Sequence, residues 1–347
     1  PTVEAPIADQ AATEDAAFSY QGPAGSFDDL DASDTLSYTA TLADGSALPS
    51  WLSFDPATRT FSGTPDNGDV GDINVKVTAT DDHGASVDDT FTLTTSNTND
   101  TPDDLTLDNA SVDENAASGT VVGNATGADA DQGDTLTYSL TDDAGGRFAI
   151  DATTGQITVA DGSLLNHEAA DTHNLTIRVT DAGGATYDEV FTINVGDVNE
   201  GPVAVDDAAT TAENAAIAVD VLANDTDPDD ADGQTLTGVT LSSGSGSVSI
   251  VAGEVAFDPG SDYDHLAVGE TATVLIDYTV EDAGGLTDTG RLALTVTGTN
   301  DGPTVEAPIA DQAATEDAAF SYQAPANAFD DLDASDTLSY TATLADG

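Results

Sequence analysis

Short runs in which every second residue is apolar recur along this chain. Examples are INVKVTAT at 73–80, HNLTIRVT at 173–180, VLIDYTV at 274–280 and LALTVTG at 292–298. Period-two runs rich in Val, Thr and Ile, bounded by Gly, Asp and Asn, predict half-buried strands. No stretch of ten or more residues carries a helical stripe. About seven short strands fall in each hundred residues, the density of a Greek-key β-sandwich. One such unit buries a core, though a thin one. The expected class is all-β: tandem Greek-key sandwiches joined end to end in an extended array.

Three segments punctuate the strands: NTNDTP at 97–102, DVNEGP at 197–202 and GTNDGP at 298–303. Each ends in Asn, an acid, one residue and Pro. The proline restricts the linker and marks the start of a first strand. The spacing divides the chain into residues 1–100, 101–201, 202–302 and 303–347. The last piece repeats the first: 42 of 45 positions are identical between Pro1 and Pro303 onward, the changes being Gly22 to Ala324, Gly25 to Asn327 and Ser26 to Ala328. That near-copy stops halfway through its unit, so the expectation is a window from a longer tandem array.

Charge then narrows the partners. The chain carries 65 acidic and 5 basic residues, a formal charge of -60. Nucleic acid and an anionic membrane face both need a positive footprint and are excluded. No run is long enough to span a membrane. Such a charge opposes compaction, and Arg59, Lys76, Arg147, Arg178 and Arg291 are too few to neutralise it. A hard divalent cation with oxygen ligands does so locally, and Ca²⁺ is the usual choice. The alternating apolar runs argue against disorder despite the charge. Most of the acids read as solvated surface. Those beside the Asn-acid-x-Pro segments read as calcium ligands, and Asp81 and Asp82 read equally as ligands or as turn formers.

Other chemistry is weak. Without cysteine there are no disulfides and no thiolate metal sites. His83, His167, His173 and His265 lack zinc-ligand spacing. Trp51 in LPSWLSF is expected in the core, with an exposed sugar platform as the lesser reading. Tyr38, Tyr138 and Tyr340 are equivalent strand-core positions. No nucleophile motif, phosphate loop or dinucleotide fingerprint points to an enzyme.

Several motifs in order carry a family resemblance. Residues 101–201 hold DENAASGT, DADQGDTLTYSL, FAIDATTGQITV, NHE, VTDAGG and DVNEGP, and resemble a cadherin repeat. Residues 1–100, through LPSWLSFDPATRTFSGTP, resemble the dystroglycan-type cadherin-like module. Residues 202–302, through VLANDTDPD, resemble the bacterial cadherin-like module. Together they resemble segments of very large RTX-type biofilm adhesins of bacterial surfaces, and the resemblance implies that the sandwiches are of cadherin or immunoglobulin-like type.

The resemblance implies calcium at the junctions between modules. At the first it implies Glu14, Asn99 and Asp100 from above and the linker, with Asp129, Asp131 and Asp181 from below. At the second it implies Glu114 and Glu168, the linker residues Asp197, Asn199 and Glu200, and the lower acids Asp227, Asp229 and Asp282. At the third it implies Glu213, Asn300 and Asp301 with Asp331 and Asp333. The sequence departs from the family at Asn97 and Gly298, where the linker acid is missing, and at Asn166, where the paired upper acids begin. Unit one lacks that upper pair altogether. Calcium closing each junction is expected to stiffen a string of modules that bends without it.

The function expected is an extender that holds a distal binding region away from the cell, and the resemblance implies export by type I secretion to the bacterial surface. Its partners are then calcium and neighbouring modules of the same chain. The alternative is that the modules bind glycans or matching modules on another cell. A third possibility is an accessory region of a secreted polysaccharide-degrading enzyme.

Overall fold

A computed structural model describes residues 1–229 and 233–345. It divides into two compact units, Pro1–Asp197 and Val198–Gly347.

The first unit holds two sandwiches. In the first, one sheet has the order Gln10–Thr13, Ser86–Ser96, Gly71–Thr80, Ser37–Leu42, and the other the order Phe18–Gln21, Thr60–Gly63, Leu52–Asp55. Gln10–Thr13 runs parallel to Ser86–Ser96; the remaining pairs are antiparallel. The alternation read from the sequence sets which face is buried. Val75, Val77 and Ala79 point inward with Phe91, Leu93 and Phe61, while Lys76 and Thr78 face out. Trp51 is half-buried and meets Phe18 edge-on at 6.3 Å. It packs against the core, as its apolar neighbours predict.

The second sandwich repeats the plan. Ser111–Asp113, Thr186–Gly196, Thr172–Thr180 and Thr137–Asp142 form one sheet, again opening on a parallel pair. Asp104–Leu107, Val121–Ala128, Gln156–Val159 and Phe148–Ile150 form the other. Leu175, Ile177, Val179, Ile157 and Ile193 fill the space between them.

In the second unit, Asp207–Ala212, Thr287–Thr297, Thr271–Glu281 and Thr235–Ser243 face Ile217–Val219, Glu254–Asp258 and Ser247–Val251. Val274, Ile276, Tyr278, Leu292, Leu294 and Phe257 make that core. Among the described residues the only helical pieces are the 3-10 turns Asn67–Asp69 and Gly162–Leu164. The protein is thus an all-β tandem array of Greek-key sandwiches.

One expectation fails. Tyr38 and Tyr138 pack half-buried against their cores, but Tyr340 is 65 % exposed. Among residues 303–345 only Thr304–Val305 and Phe329–Asp330 pair as strands. Tyr340 lies outside any described strand and packs only against Phe329 among the rings, at 5.9 Å.

Candidate metal sites

Each acidic site grows from the same local structure. A short strand ends in a glutamate, a linker supplies Asn and an acid, and a loop carries two aspartates one residue apart. In the first unit, Glu14 follows Gln10–Thr13 and is 1 % exposed. One of its oxygens accepts the Thr98 N–H. Asp100 donates its N–H to Asp131 Oδ2 at 2.8 Å and accepts from the Asn67 side-chain amide. Asp131 in turn donates its N–H to Asp129 Oδ1 at 2.8 Å. Asn99 Nδ2 donates to Asp181 Oδ2 at 2.8 Å. Carboxylate oxygens of Glu14, Asp100 and Asp131 lie within 4.8 Å of one another, as do those of Asp129, Asp134 and Asp181.

These hydrogen bonds leave oxygens over. Glu14 Oε2, Asp129 Oδ2 and Asp131 Oδ1 are buried and accept no hydrogen bond. A buried anion without a donor is costly unless a cation faces it. Burial, then the charges of Asp131, Asp134 and Asp181, push the Asp129 carboxyl up from its ordinary value. Burial also pushes Asp181 upward, but the Asn99 amide and the N–H groups of Ala185, Gly184 and Gly183 outweigh it and hold that carboxyl low. A gathering of bare carboxylate oxygens with no basic side chain among them is the donor set of a hard divalent cation. The acidic clusters fit calcium.

The acids expected at the second junction fall in both units. In the first unit Glu114, 2 % exposed, accepts the His167 N–H at 2.8 Å. Glu168 is exposed and accepts from Asn166 Nδ2 at 3.2 Å; Asp197 is exposed. The Val195 carbonyl, with Asp197, Glu168 and Glu114 nearby, raises the affinity of His167 for its proton. In the second unit Asn199 Nδ2 donates to Asp282 Oδ2 at 3.0 Å, and Glu200 N–H to Asp229 Oδ2 at 2.7 Å. Asp229 N–H reaches Asp227 Oδ1 at 3.0 Å, and Asp229 Oδ1 is buried without a donor. This linker-and-loop arrangement is that of Asn99, Asp100, Asp129, Asp131 and Asp181 over again.

The last site also lies within the second unit. Glu213 is fully buried, and its Oε1 accepts from Thr299 N–H at 2.7 Å and Thr299 Oγ1 at 2.8 Å. Asp301 N–H donates to Asp333 Oδ2 at 2.9 Å, and Asp333 N–H to Asp331 Oδ1 at 3.1 Å. Asn300 Nδ2 turns to the Asp301 carbonyl at 2.7 Å. Glu213 Oε2, Asp301 Oδ2 and Asp333 Oδ1 are buried without donors. Burial, then Glu213, Asp333, Asp264 and Asp331, raise the Asp301 carboxyl.

Four features escape a reading of the sequence alone. Asp134 joins Asp129 and Asp181, and its signal was the third acid of DADQGD. Asp264 lies close enough to act on Asp301. Gly183 and Gly284 make room for the linker asparagines: a β-carbon at either would overlap the side-chain oxygen of Asn99 or Asn199. In the first sandwich His83 stands at the equivalent place in its turn, TATDDHG against RVTDAGG. There Asp81 Oδ1 accepts the N–H groups of His83 and Ala85 at 2.9 Å each, and ligand atoms of Asp34, Asp81 and His83 lie within 4.8 Å of one another. Gly298 has its own cause. A β-carbon there would overlap the carbonyls of Leu266 and Ala267, so no linker acid fits at that position.

Comparison with known proteins agrees with this architecture. Residues 1–96 match the family described as putative Ig domain. Residues 108–196 match the cadherin domain, and residues 199–298 the bacterial cadherin-like domain. Over 143 residues the chain is 32 % identical to the calcium-binding lectin RapA2 of Rhizobium johnstonii, covering 36 % of this chain and 59 % of the lectin. Over 116 residues it is 30 % identical to mouse cadherin-related family member 2, covering 32 % of this chain and 9 % of that protein. The chain therefore spans less than two thirds of the length of each of these relatives. Among solved structures, protocadherin gamma B2 extracellular domains 1–5 superpose with a TM-score of 0.63 at 16 % identity, over 87 % of this chain and 60 % of that one. Protocadherin gammaB7 domains 3–6 give 0.59 at 18 % identity, over 90 % and 77 %. The chain is a tandem array of β-sandwich modules that resemble bacterial and eukaryotic cadherin domains.

Proposed function

We propose that this segment is a calcium-binding adhesive array whose own modules engage a partner, either a glycan or a matching module on another cell. The modules are residues 1–100, 101–201, 202–302 and 303–347, and the ions sit where their linkers meet the paired aspartates. Bound calcium supplies the positive charge that the buried carboxylates lack. The chain's part is to gather them: Glu14 and Glu213 end their strands pointing at the linker, Asn99 and Asn199 tie it to the loop below, and Asp131, Asp229 and Asp333 fasten it by one main-chain bond each. The observation that carries the reading is the set of buried, donor-less oxygens on Glu14, Asp129, Asp131, Glu213, Asp301 and Asp333. The likeness to a protein named a calcium-binding lectin supports direct engagement of a partner. Glycan-array binding and sedimentation of the chain, each in calcium and in chelator, test it. Calcium-dependent glycan retention or self-association is expected; a monomer that retains no glycan in calcium overturns it.

The second reading is the extender, in which the array only separates a distal tip from a bacterial surface reached by type I secretion. The near-identity of the segments at Pro1 and Pro303 favours it, because repetition builds length. Small-angle scattering separates the effects: a maximum dimension that rises with calcium supports stiffening, and an unchanged one refutes it.

A further inference from the structure

Away from the acidic sites, one side of the third sandwich is unlike the rest of the molecule. Residues 233–253 carry no ionisable side chain, 21 in succession, in a chain that is 20% charged. They form the two strands that end its two sheets, Thr235–Ser243 and Ser247–Val251. Natural edge strands are protected by charge, proline or bulges. Thr235–Ser243 has bulges between Leu236 and Gly238 and between Leu241 and Ser243. Ser247–Val251 has no such protection and pairs in unbroken register with Glu254–Asp258. The equivalent edge of the first sandwich, Leu52–Asp55, carries an aspartate.

The turn fixes which main-chain groups stay open. Ala252 at φ 55° and Gly253 at φ 88° are both left-handed, the signature of a two-residue hairpin turn of type I′. Val251 and Glu254 then form the hydrogen-bonded pair that closes it, and such pairs alternate along the ladder. Ser247, Ser249 and Val251 therefore spend their N–H and C=O groups on Glu254–Asp258. Those of Val248 and Ile250 point the other way, where no described strand pairs. Ile250 is 37 % and Val251 54 % exposed. The outer face beside this edge is a shallow depression lined by small side chains, among them Ala216, Ala218, Ala256, Ser247 and Ser249, and by one acid, Asp258.

We infer that this edge pairs with the same edge of a second copy of the chain, antiparallel, about a two-fold axis through Ser249. That register sets Val248 opposite Ile250 of the other copy, so each exchanges both main-chain bonds, and the contact closes on itself. Charge selects the occupant. Two chains of -60 repel wherever their acids face, and residues 233–253 carry none, the nearest on this sheet being Glu254 and Asp258 of the paired strand. One pairing of five residues is weak, and a repeated cassette multiplies it by valency. The inference rests on the adhesive reading above and gives it a homophilic surface.

The chain has no cysteine, so Ser249→Cys is a clean probe. Antiparallel pairing at the axis brings the two Cα atoms to about 4.5 Å, within disulfide reach. In calcium, mild oxidation is expected to link this variant into a dimer, and to leave Ser53→Cys, on the guarded edge of the first sandwich, unlinked. Ser249→Glu and Ser249→Lys are each expected to sediment as monomers, and an equimolar mixture to recover the dimer. That recovery excludes misfolding as the cause of either loss. A wild-type chain that stays monomeric in calcium, a dimer that Ser249→Glu leaves intact, or no cross-link through position 249 overturns the inference. If a monomer still binds glycan in calcium, the adhesive reading stands and this surface alone falls.

Discussion

Asn99 and Gly183 share one small volume: a β-carbon on residue 183 would overlap the Asn99 side-chain oxygen. The glycine admits the linker side chain, whose amide then holds Asp181 at 2.8 Å. Asn199 and Gly284 repeat the arrangement around Asp282. Gly183→Ala is therefore expected to displace the linker while leaving the turn's backbone acceptable. Calcium affinity at that site should fall by roughly tenfold, the usual cost of disturbing a group that orients a ligand. Calorimetric titration reads it, and an unchanged titration contradicts the role given to Gly183.

Glu14→Gln should change sign with calcium. Buried carboxylates repel one another when no cation faces them, so the substitution raises the melting temperature in chelator. In calcium it removes a ligand charge and lowers it. The calcium-induced rise in melting temperature should shrink. A rise as large as that of the unaltered chain would place the ion elsewhere.

His173 gives a pH dependence separate from the acids. Burial, then the charge of Arg147, pushes its pKa below the ordinary value, and its Nε2 is buried without a partner. The unfolded chain then binds a proton more readily than the folded one. Stability is full above the ordinary value of about 6.5 and is lost as pH falls through the window beneath it. Urea melts from about pH 7.5 to about pH 5.5 should show this loss, and His173→Gln should reduce it. An equal slope in both chains contradicts the assignment.

Gly298→Asp restores the acid that the family linker carries. Because the carbonyls of Leu266 and Ala267 occupy that space, the expected result is destabilisation by about 1–3 kcal/mol with no additional ion. Chemical melts and ion counting by native mass spectrometry check it. A gained ion at unchanged stability would refute the packing argument.

These sites also show where a sequence is legible. Val75, Val77 and Ala79 are buried because alternation is a local property, written into consecutive residues. The aspartate pairs 129/131, 227/229 and 331/333 are legible for the same reason: one loop aims both carboxylates. Asn67 on Asp100 and Asp264 beside Asp301 are not, because each joins segments more than thirty residues apart that only the closed sandwich brings together. Gly183 reads as a turn glycine, and its service to a linker eighty residues earlier has no local trace.

The central claim is that the donor-less carboxylate oxygens are calcium ligands. Diffraction from crystals grown in calcium, with the ion located by its anomalous signal, tests it most directly. The account predicts ions bound by Glu14, Asp100 and Asp131 and by Glu213, Asp301 and Asp333, at about 2.3–2.6 Å from the oxygens. Water at those positions, with the carboxylates turned apart into solvent, would contradict it.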